Sequence, residues 1–296
     1  MRVALVTAGH VDPAKTDDRL LAAALTARGH DIEWLAWDHA GVDWAGFDRV
    51  VLRSCWDYHR RLEAFTAWLR RLEHDGVALV NPVQLVIPNL HKRYLATLQE
   101  AGLSVPPFVI VPKGDDVRLG DLFAKLGTHD AVIKPAVSAS ALNTWRTVDE
   151  RMPANQRRLI ELIADQDMMV QAFVPEVLER GEWSLIAFGG RPSHAVLKRV
   201  KQGDFRSQAE FGGLIEAGEP PAELAALGAA ALHALAPAAA FARLDLVEAR
   251  TGPLLMEVEL VEPVLFFAFA ARAAERFAEA VERDPAAHRP ARRRAG

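Results

Sequence analysis

The chain has 296 residues, 50% hydrophobic and 25% charged, with a formal net charge of −4. This is the composition of a soluble globular protein of two or three packed units, and the slightly acidic balance excludes a general nucleic-acid binder, whose affinity rests on excess Lys and Arg. The single cysteine, Cys55, excludes an intrachain disulfide, and no apolar window approaches the ~20 residues of a membrane span, so a cytoplasmic enzyme or binding protein is expected.

Strands and helices alternate over residues 1–85 at the lengths of an open α/β unit with a parallel sheet. The pattern predicts strands at 3–7, 32–37, 49–53 and 77–80, and helices at 17–28 and 62–74 that stop at Gly29 and Gly76. Arg53, Trp56, Asp57 and Tyr58 follow the third strand. Ligands in such sheets bind beyond the carboxyl ends of strands, so these four are candidate substrate contacts; a packed loop with one buried tryptophan is the alternative. Cys55 has no histidine constellation around it and reads as a small hydrophobe.

Asn81-Pro82 marks a boundary. Beyond it, residues 86–167 read as a second unit: an amphipathic helix at 89–102 carrying Lys92, a strand at 108–111, a helix at 120–126, a strand at 131–135 ending in Lys134, and a helix at 154–164. A lysine closing an apolar strand is unusual as core. The run 136–144 behind it is small and hydroxylated, with Ser138 and Ser140, and can approach phosphates closely, although it lacks the glycines that usually let backbone amides wrap them. A third unit, 168–284, opens with a strand at 168–173 and a turn at Val174-Pro175-Glu176. It continues with a hairpin of 182–188 and 194–199, helices at 223–236 and 266–281, and between those helices a second hairpin. The basic tail 285–296 is expected to be disordered.

That second hairpin organises the rest. Both arms, 243–247 and 254–263, alternate apolar and polar residues, and Thr251-Gly252-Pro253 between them is turn chemistry. Centring the hairpin on Thr251 sets Asp245 across from Glu257 and Arg243 across from Glu259, with Leu244, Leu246, Met256, Val258 and Leu260 turned to a core. Like charges directly opposite one another destabilise a sheet, and a hard divalent cation resolves the conflict. Asp245, Glu257 and Glu259 are therefore candidate Mg²⁺ ligands of a metal–nucleotide site; a solvated face with an Arg243–Glu259 pair is the alternative. Lys198, Arg199 and Arg206 supply the positive charge that phosphoryl transfer requires.

Taken in order, Lys92, Lys134-Pro135, the Gln171 strand, Gly181-Glu182, Lys198-Arg199, Gly203-Asp-Phe-Arg206, Gly212-Gly213, Arg243-Leu-Asp245 and Glu257-Val-Glu259 with Pro263 resemble the ATP-grasp superfamily over about residues 81–282. The nearest types are glutathione synthetase and RimK-type ligases and, among small relatives, the cyclo-ligases that close the D-cycloserine ring, a likeness that extends to Val51-Leu-Arg-Ser and Trp56. The resemblance implies an α/β, ATP-grasp fold, two α+β subdomains gripping ATP, preceded by an open α/β domain on the substrate side. It implies Lys92 and Lys134 on ATP phosphates with Ser138 and Ser140 in the phosphate loop, the backbone of Gln171, Ala172 and Phe173 at adenine, and Glu176 on the ribose hydroxyls. Glu182 joins the nucleotide-binding set, Arg206 meets the transferred phosphate with Lys198 and Arg199 beside it, and Asp245, Glu257 and Glu259 hold Mg²⁺, with Mn²⁺ as the alternative ion. Two positions depart from the family pattern: Glu259 stands where Asn is common, and the phosphate loop is poor in glycine. The implied activity is ATP-dependent carboxylate–amine ligation through an acyl phosphate, on a small amino-acid-like substrate with an amine nucleophile, in natural-product biosynthesis. A hydroxyl kinase and a non-catalytic ATP-binding protein are the alternatives, and self-association into a homo-oligomer stays open.

Overall fold

Three sheets carry the chain in the computed structural model, which describes residues 1–283 apart from 202, 207–211 and 237–238; the tail 285–296, expected to be disordered, lies outside the described residues. The first sheet is parallel, in the order β2-β1-β3-β4, with β1 (Arg2–Thr7), β2 (Asp31–Ala36), β3 (Arg49–Ser54) and β4 (Leu79–Val80). Its crossover helices are α1 (Asp18–Ala27) and α2 (Leu62–His74). β3 is buried along its whole length because both faces are covered, which is why its centre, Val50-Val51-Leu52, is apolar without alternation. Leu21 and Leu25 pack with one face, and Phe65, Trp68 and Leu69 with the other.

Next come α3 (Val83–Asn89) and α4 (Tyr94–Glu100), where the sequence predicts one helix over 89–102. The chain breaks between them because Pro88 closes α3 and the Lys92 N–H leaves the helical pattern to donate to Ala136 O at 2.8 Å. The second sheet runs β5-β8-β6-β7 and is antiparallel, from β5 (Phe108–Val111), β6 (Asp130–Pro135), β7 (Trp145–Val148) and β8 (Met168–Ala172), with α5 (Leu119–Leu126) and α6 (Met152–Ile163) on one face. A short α7 (Glu176–Glu179) leads into the third sheet, β11-β10-β9-β12-β13, also antiparallel. It comprises β9 (Glu182–Phe188), β10 (Arg191–Arg199), β11 (Leu214–Ala217), β12 (Phe241–Ala249) and β13 (Gly252–Glu259), and α8 (Ala222–Leu235) packs on β12 and β13. The final helix, α9 (Ala273–Arg283), starts later than the predicted 266, since Phe266 and Arg272 both take left-handed backbone with φ of 51° and 58°.

α9 wedges between the first and third sheets. Phe277 stacks on Phe188 at 5.0 Å and shares one core with Leu21 and Leu25 of α1. Asn81 pins the other side: fully buried, its amide donates to Phe241 O at 2.8 Å and Leu260 O at 2.9 Å and accepts from Ala240 N at 2.8 Å. These contacts hold the end of the acid-bearing hairpin against the parallel sheet.

Candidate active site

The hairpin β12–β13 supplies the acids, and its register pairs Arg243 with Glu259 and Asp245 with Glu257. The sequence pattern predicts those pairs, but from a turn centred on Thr251. The actual turn is the two-residue Arg250-Thr251, which by itself would set Asp245 opposite Met256. A bulge between Asp245 and Leu246 leaves Met256 unpaired and advances the register by one. Met256, expected in the core, is thereby turned onto a cavity wall, and Leu255 joins Leu244, Leu246, Val258 and Leu260 in the core instead.

That cavity, about 650 Å³, lies between the second and third sheets and is closed at one end by the loop after β3. Its polar end gathers cations around the acids. Lys92 Nζ is 3.0 Å from Glu257, Lys198 Nζ is 3.1 Å from Asp245 and also bonds Glu182, and Arg243 reaches Asp245 at 2.9 Å and bonds Glu259. Lys134 lines the same wall from the end of β6. One oxygen each from Asp245, Glu257 and Glu259 lie within 4.8 Å of one another, a hard donor set that fits a divalent cation such as Mg²⁺. Burial pushes the Asp245 carboxyl up, but Arg243 and Lys198 outweigh it and hold the group well below the usual range. Lys92 and Lys134 likewise overcome burial at Glu257 and lower it. At Glu259, burial, relieved in part by Arg243 but reinforced by Glu257 and Asp245, wins and raises it to about 7. Lys198 keeps its charge because Asp245 and Glu182 more than offset burial, whereas burial leaves Lys134 lowered.

Close backbone approach positions Lys198. Gly181, before Glu182, sits at φ +85°, and a Cβ there would come within 2.6 Å of Lys198 O, so only glycine lets β9 and β10 bring Glu182 and Lys198 together. Arg206 also lines the cavity, its guanidinium 2.8 Å from Asp204.

The opposite end is apolar, walled by Val132, Ala172, Phe173, Val174, Val177 and Met256, with Gln171 beside them. The Ala172 and Phe173 N–H groups, expected to face a base, are already given to Pro107 O at 2.8 Å and Asp130 O at 3.0 Å; among the described residues the Val174 N–H is the first in this segment without a partner. Gln171 is 2% exposed and its Nε2 is buried without a partner. Ser138 and Ser140 line the cavity from a loop in which Ser140, Ala141 and Asn143 take φ of 50°, 51° and 53°. Three non-glycine residues thus adopt the left-handed backbone that a glycine-rich loop would supply, at a cost of ~1–2 kcal/mol each.

Four expected site residues lie elsewhere. Arg199 neighbours Lys198 in β10, so strand alternation sends it to the other face, where it is exposed and 3.5 Å from Glu216. Glu176 turns from the cavity to accept from Arg250 N at 3.0 Å, capping the hairpin turn. Asp57 accepts from Trp37 Nε1 at 2.9 Å and braces the first sheet. Arg53 is 1% exposed, 2.7 Å from Asp18, and donates to Pro263 O at 2.8 Å; it borders a separate hollow and not the main cavity. Trp56 and Tyr58 do line the main cavity. Burial raises the Cys55 thiol, which donates to Val6 O at 3.3 Å, in keeping with a packed hydrophobe. Sequence reasoning left Arg243 out of the site although its alternation put it on the face of Asp245, and missed Met256, Lys15 and Glu262 on the cavity wall.

A nucleotide-sized cavity gripped between two antiparallel sheets, with paired lysines, an acidic hairpin and a parallel-sheet domain in front, defines an ATP-grasp ligase. Residues 3–81 match the family described as the N-terminal domain of D-cycloserine synthetase DcsG. The cycloserine biosynthesis protein DcsG of Streptomyces lavendulae is 31% identical over 295 residues, 94% of this chain and 97% of that one. The crystal structure of D-cycloserine synthetase DcsG superposes with a TM-score of 0.87 at 31% identity, covering 96% of this chain and 99% of the other. An ATP-grasp RimK domain protein from Sphaerobacter thermophilus shares the fold, with a TM-score of 0.69 at 20% identity over 95% of this chain and 100% of its own. The chain belongs to the DcsG family of ATP-grasp ligases. Such ligases use ATP with metal ions, and among the described residues no helix is long and apolar enough to cross a membrane.

Proposed function

We propose that the chain activates a small amino-acid-like carboxylate as an acyl phosphate and joins it to an amine, with Mg²⁺ as the ion. The observation that carries this reading is the gathering of Lys92, Lys134, Lys198 and Arg243 around Asp245, Glu257 and Glu259 at one end of the cavity, with an apolar slot at the other. Base and ribose fit the slot, where the Val174 N–H and the Gln171 amide are free to bond an adenine edge. The triphosphate then reaches Lys92 and Lys134, with Arg206 at the transferred group. Asp245, Glu257 and Glu259 would hold the ion, which would supply neutralisation of phosphate charge. Lys198 and Arg243 orient those carboxylates, and no protein nucleophile is required, because positioning and charge neutralisation carry phosphoryl transfer.

The test is ADP release over a panel of amino acids, with hydroxylamine as a trap. An acyl phosphate is a mixed anhydride and gives a hydroxamate; the product mass then separates ring closure on one substrate from joining of two. A stable phosphoester that survives hydroxylamine would establish the kinase alternative instead.

A further inference from the structure

Among the described residues, every acid at the polar end of the cavity has a cationic partner within ion-pair distance except one. Asp245 has Arg243 and Lys198, Glu257 has Lys92, Glu259 has Arg243 and Glu182 has Lys198. Glu262, 8% exposed and lining the cavity three residues beyond Glu259, meets only its own backbone N–H among the described residues. Tyr58 lines the same wall at 5% exposure, and its hydroxyl has no hydrogen-bond partner among the described residues; after burial, Glu262 is the largest influence on it. Two polar side chains, each more than nine-tenths buried, thus face the cavity unsatisfied. Their oxygens are not among the fully buried unpartnered atoms and so are reached from the cavity, and such a pair marks a place where a ligand can supply the missing bonds.

The chemistry of that ligand group follows from charge. An ionised Glu262 repels a phosphate or a carboxylate and accepts hydrogen bonds, and a cation beside it favours that ionised form, so it suits an ammonium or amine. Trp56 fixes the segment, its indole donating to Glu262 O at 3.3 Å. Trp56 and Lys15 also border an adjoining hollow of about 580 Å³, which gives room for the rest of an acceptor.

We propose that Glu262, with the Tyr58 hydroxyl, seats the amine nucleophile and takes its proton. This rests on the ligase reading above. The bound ammonium gives one proton to the Glu262 carboxylate, which frees the nitrogen lone pair. Nitrogen bonds to the acyl carbon, the carbon–oxygen bond to phosphate breaks, and the departing phosphate carries away the second nitrogen proton. Burial, reinforced by Glu259, raises the Glu262 carboxyl to about 8, so at neutral pH it is the adjacent ammonium that keeps the group ionised, and the carboxylate takes the proton readily as that charge leaves the nitrogen.

Hydroxylamine is largely uncharged at neutral pH and needs no deprotonation, so it separates this step from activation. In Glu262→Gln, ligation of the amine falls at least about 100-fold, the lower end of what a positioned base contributes. Hydroxamate formation stays within about threefold, and ADP affinity does not change. Equal loss with both nucleophiles, or loss with neither, overturns the proposal. A second measurement needs no turnover: ethylammonium chloride titrated into protein holding Mg²⁺ and ADP, against potassium chloride, gives a saturable change in tryptophan fluorescence in the wild type that Glu262→Gln lacks. Absence of saturation in the wild type also overturns it. A wild type that saturates yet yields no hydroxamate with any carboxylate tells against the ligase reading and leaves the amine seat standing.

Discussion

Arg53→Ala tests whether the guanidinium at the end of β3 is a support or a substrate contact. In the structure it is a support: it pairs with Asp18 at 2.7 Å, bonds Pro263 O at 2.8 Å, and lies 5.5 Å and 5.7 Å from the rings of Phe241 and Phe277. Its side chain is 1% exposed and that of Asp18 6%, so solvent cannot take over either charge. Breaking a buried pair by removing one partner costs ~3–5 kcal/mol, because the other charge stays buried. At ~2–4 °C per kcal/mol for chains somewhat shorter than this one, the unfolding midpoint should drop on the order of 10 °C. Thermal unfolding followed by circular dichroism reads this directly, and adding Asp18→Asn should recover part of the loss by removing the orphaned charge. An unchanged midpoint together with a raised KM for the carboxylate would refute the reasoning and make Arg53 a substrate contact after all.

Glu257→Gln should abolish Mg²⁺-dependent ADP release while leaving the unfolding midpoint near the wild type, since Lys92 loses a partner but the cavity face is already polar; wild-type turnover would remove Glu257 from the metal set. Lys134→Ala should weaken ADP binding by about tenfold or more in calorimetry, the range of one charge-assisted contact, and Cys55→Ala should leave it unchanged. Arg28 and His30 hold the Glu282 carboxyl down to about 2, against the pull of burial. Because that folded-state value is depressed, the stabilisation is present above the ordinary carboxyl range and is lost as pH falls from about 4.5 towards 2, so the stability gap between wild type and Glu282→Gln should close over that interval.

The parallel-sheet unit was legible because its signals are strong and local: apolar strand runs, helices ended by glycines, and short connections. The acid cluster was legible for a subtler reason. A period-2 pattern fixes which residues of one strand share a face, so Arg243 goes with Asp245 and Glu257 with Glu259; bringing the two pairs onto one face takes the register, which the expected turn centred on Thr251 and the actual two-residue turn plus bulge reach by different routes. The bulge that moves Met256 leaves no trace in such a pattern, since it depends on how two strands meet. β7 and β11 escaped because each four-residue strand carries charged or hydroxylated residues among its apolar ones, Trp145-Arg-Thr-Val148 and Leu214-Ile-Glu-Ala217, whereas β5, equally short and equally at an edge, is a run of four apolar residues. Arg199 was a parity error in a run of two cations, of which only one can face the cavity. Arg53 was misread because position at a strand's carboxyl end is shared by ligand contacts and by charges that tie loops together. Only the burial of Asp18, 35 residues away, separates the two roles.

The cations around the metal cluster imply that ion and nucleotide need each other. Lys92 on Glu257, Lys198 on Asp245 and Arg243 on both Asp245 and Glu259 already neutralise the three carboxylates. A divalent ion arriving alone would meet those cations at close range, where even a unit charge pair ~4 Å apart interacts by ~4 kcal/mol at an effective dielectric of ~20. A nucleotide brings phosphate oxygens that can take over Lys92 and share the charge of Lys198 and Arg243 while these still orient Asp245 and Glu259, which opens the carboxylates to the ion. Coupling of this kind is reciprocal, so Mg²⁺ should strengthen ADP binding by the same factor as ADP strengthens Mg²⁺ binding. Calorimetric titration should find Mg²⁺ binding at least about tenfold tighter with ADP present, the lower range of such couplings. Lys92→Met should tighten Mg²⁺ binding to the nucleotide-free protein, because Glu257 is then released in advance. Equal Mg²⁺ affinity with and without ADP would mean that the lysines and the arginine do not guard the carboxylates, and that these ion pairs have no part in ordering the binding of ion and nucleotide.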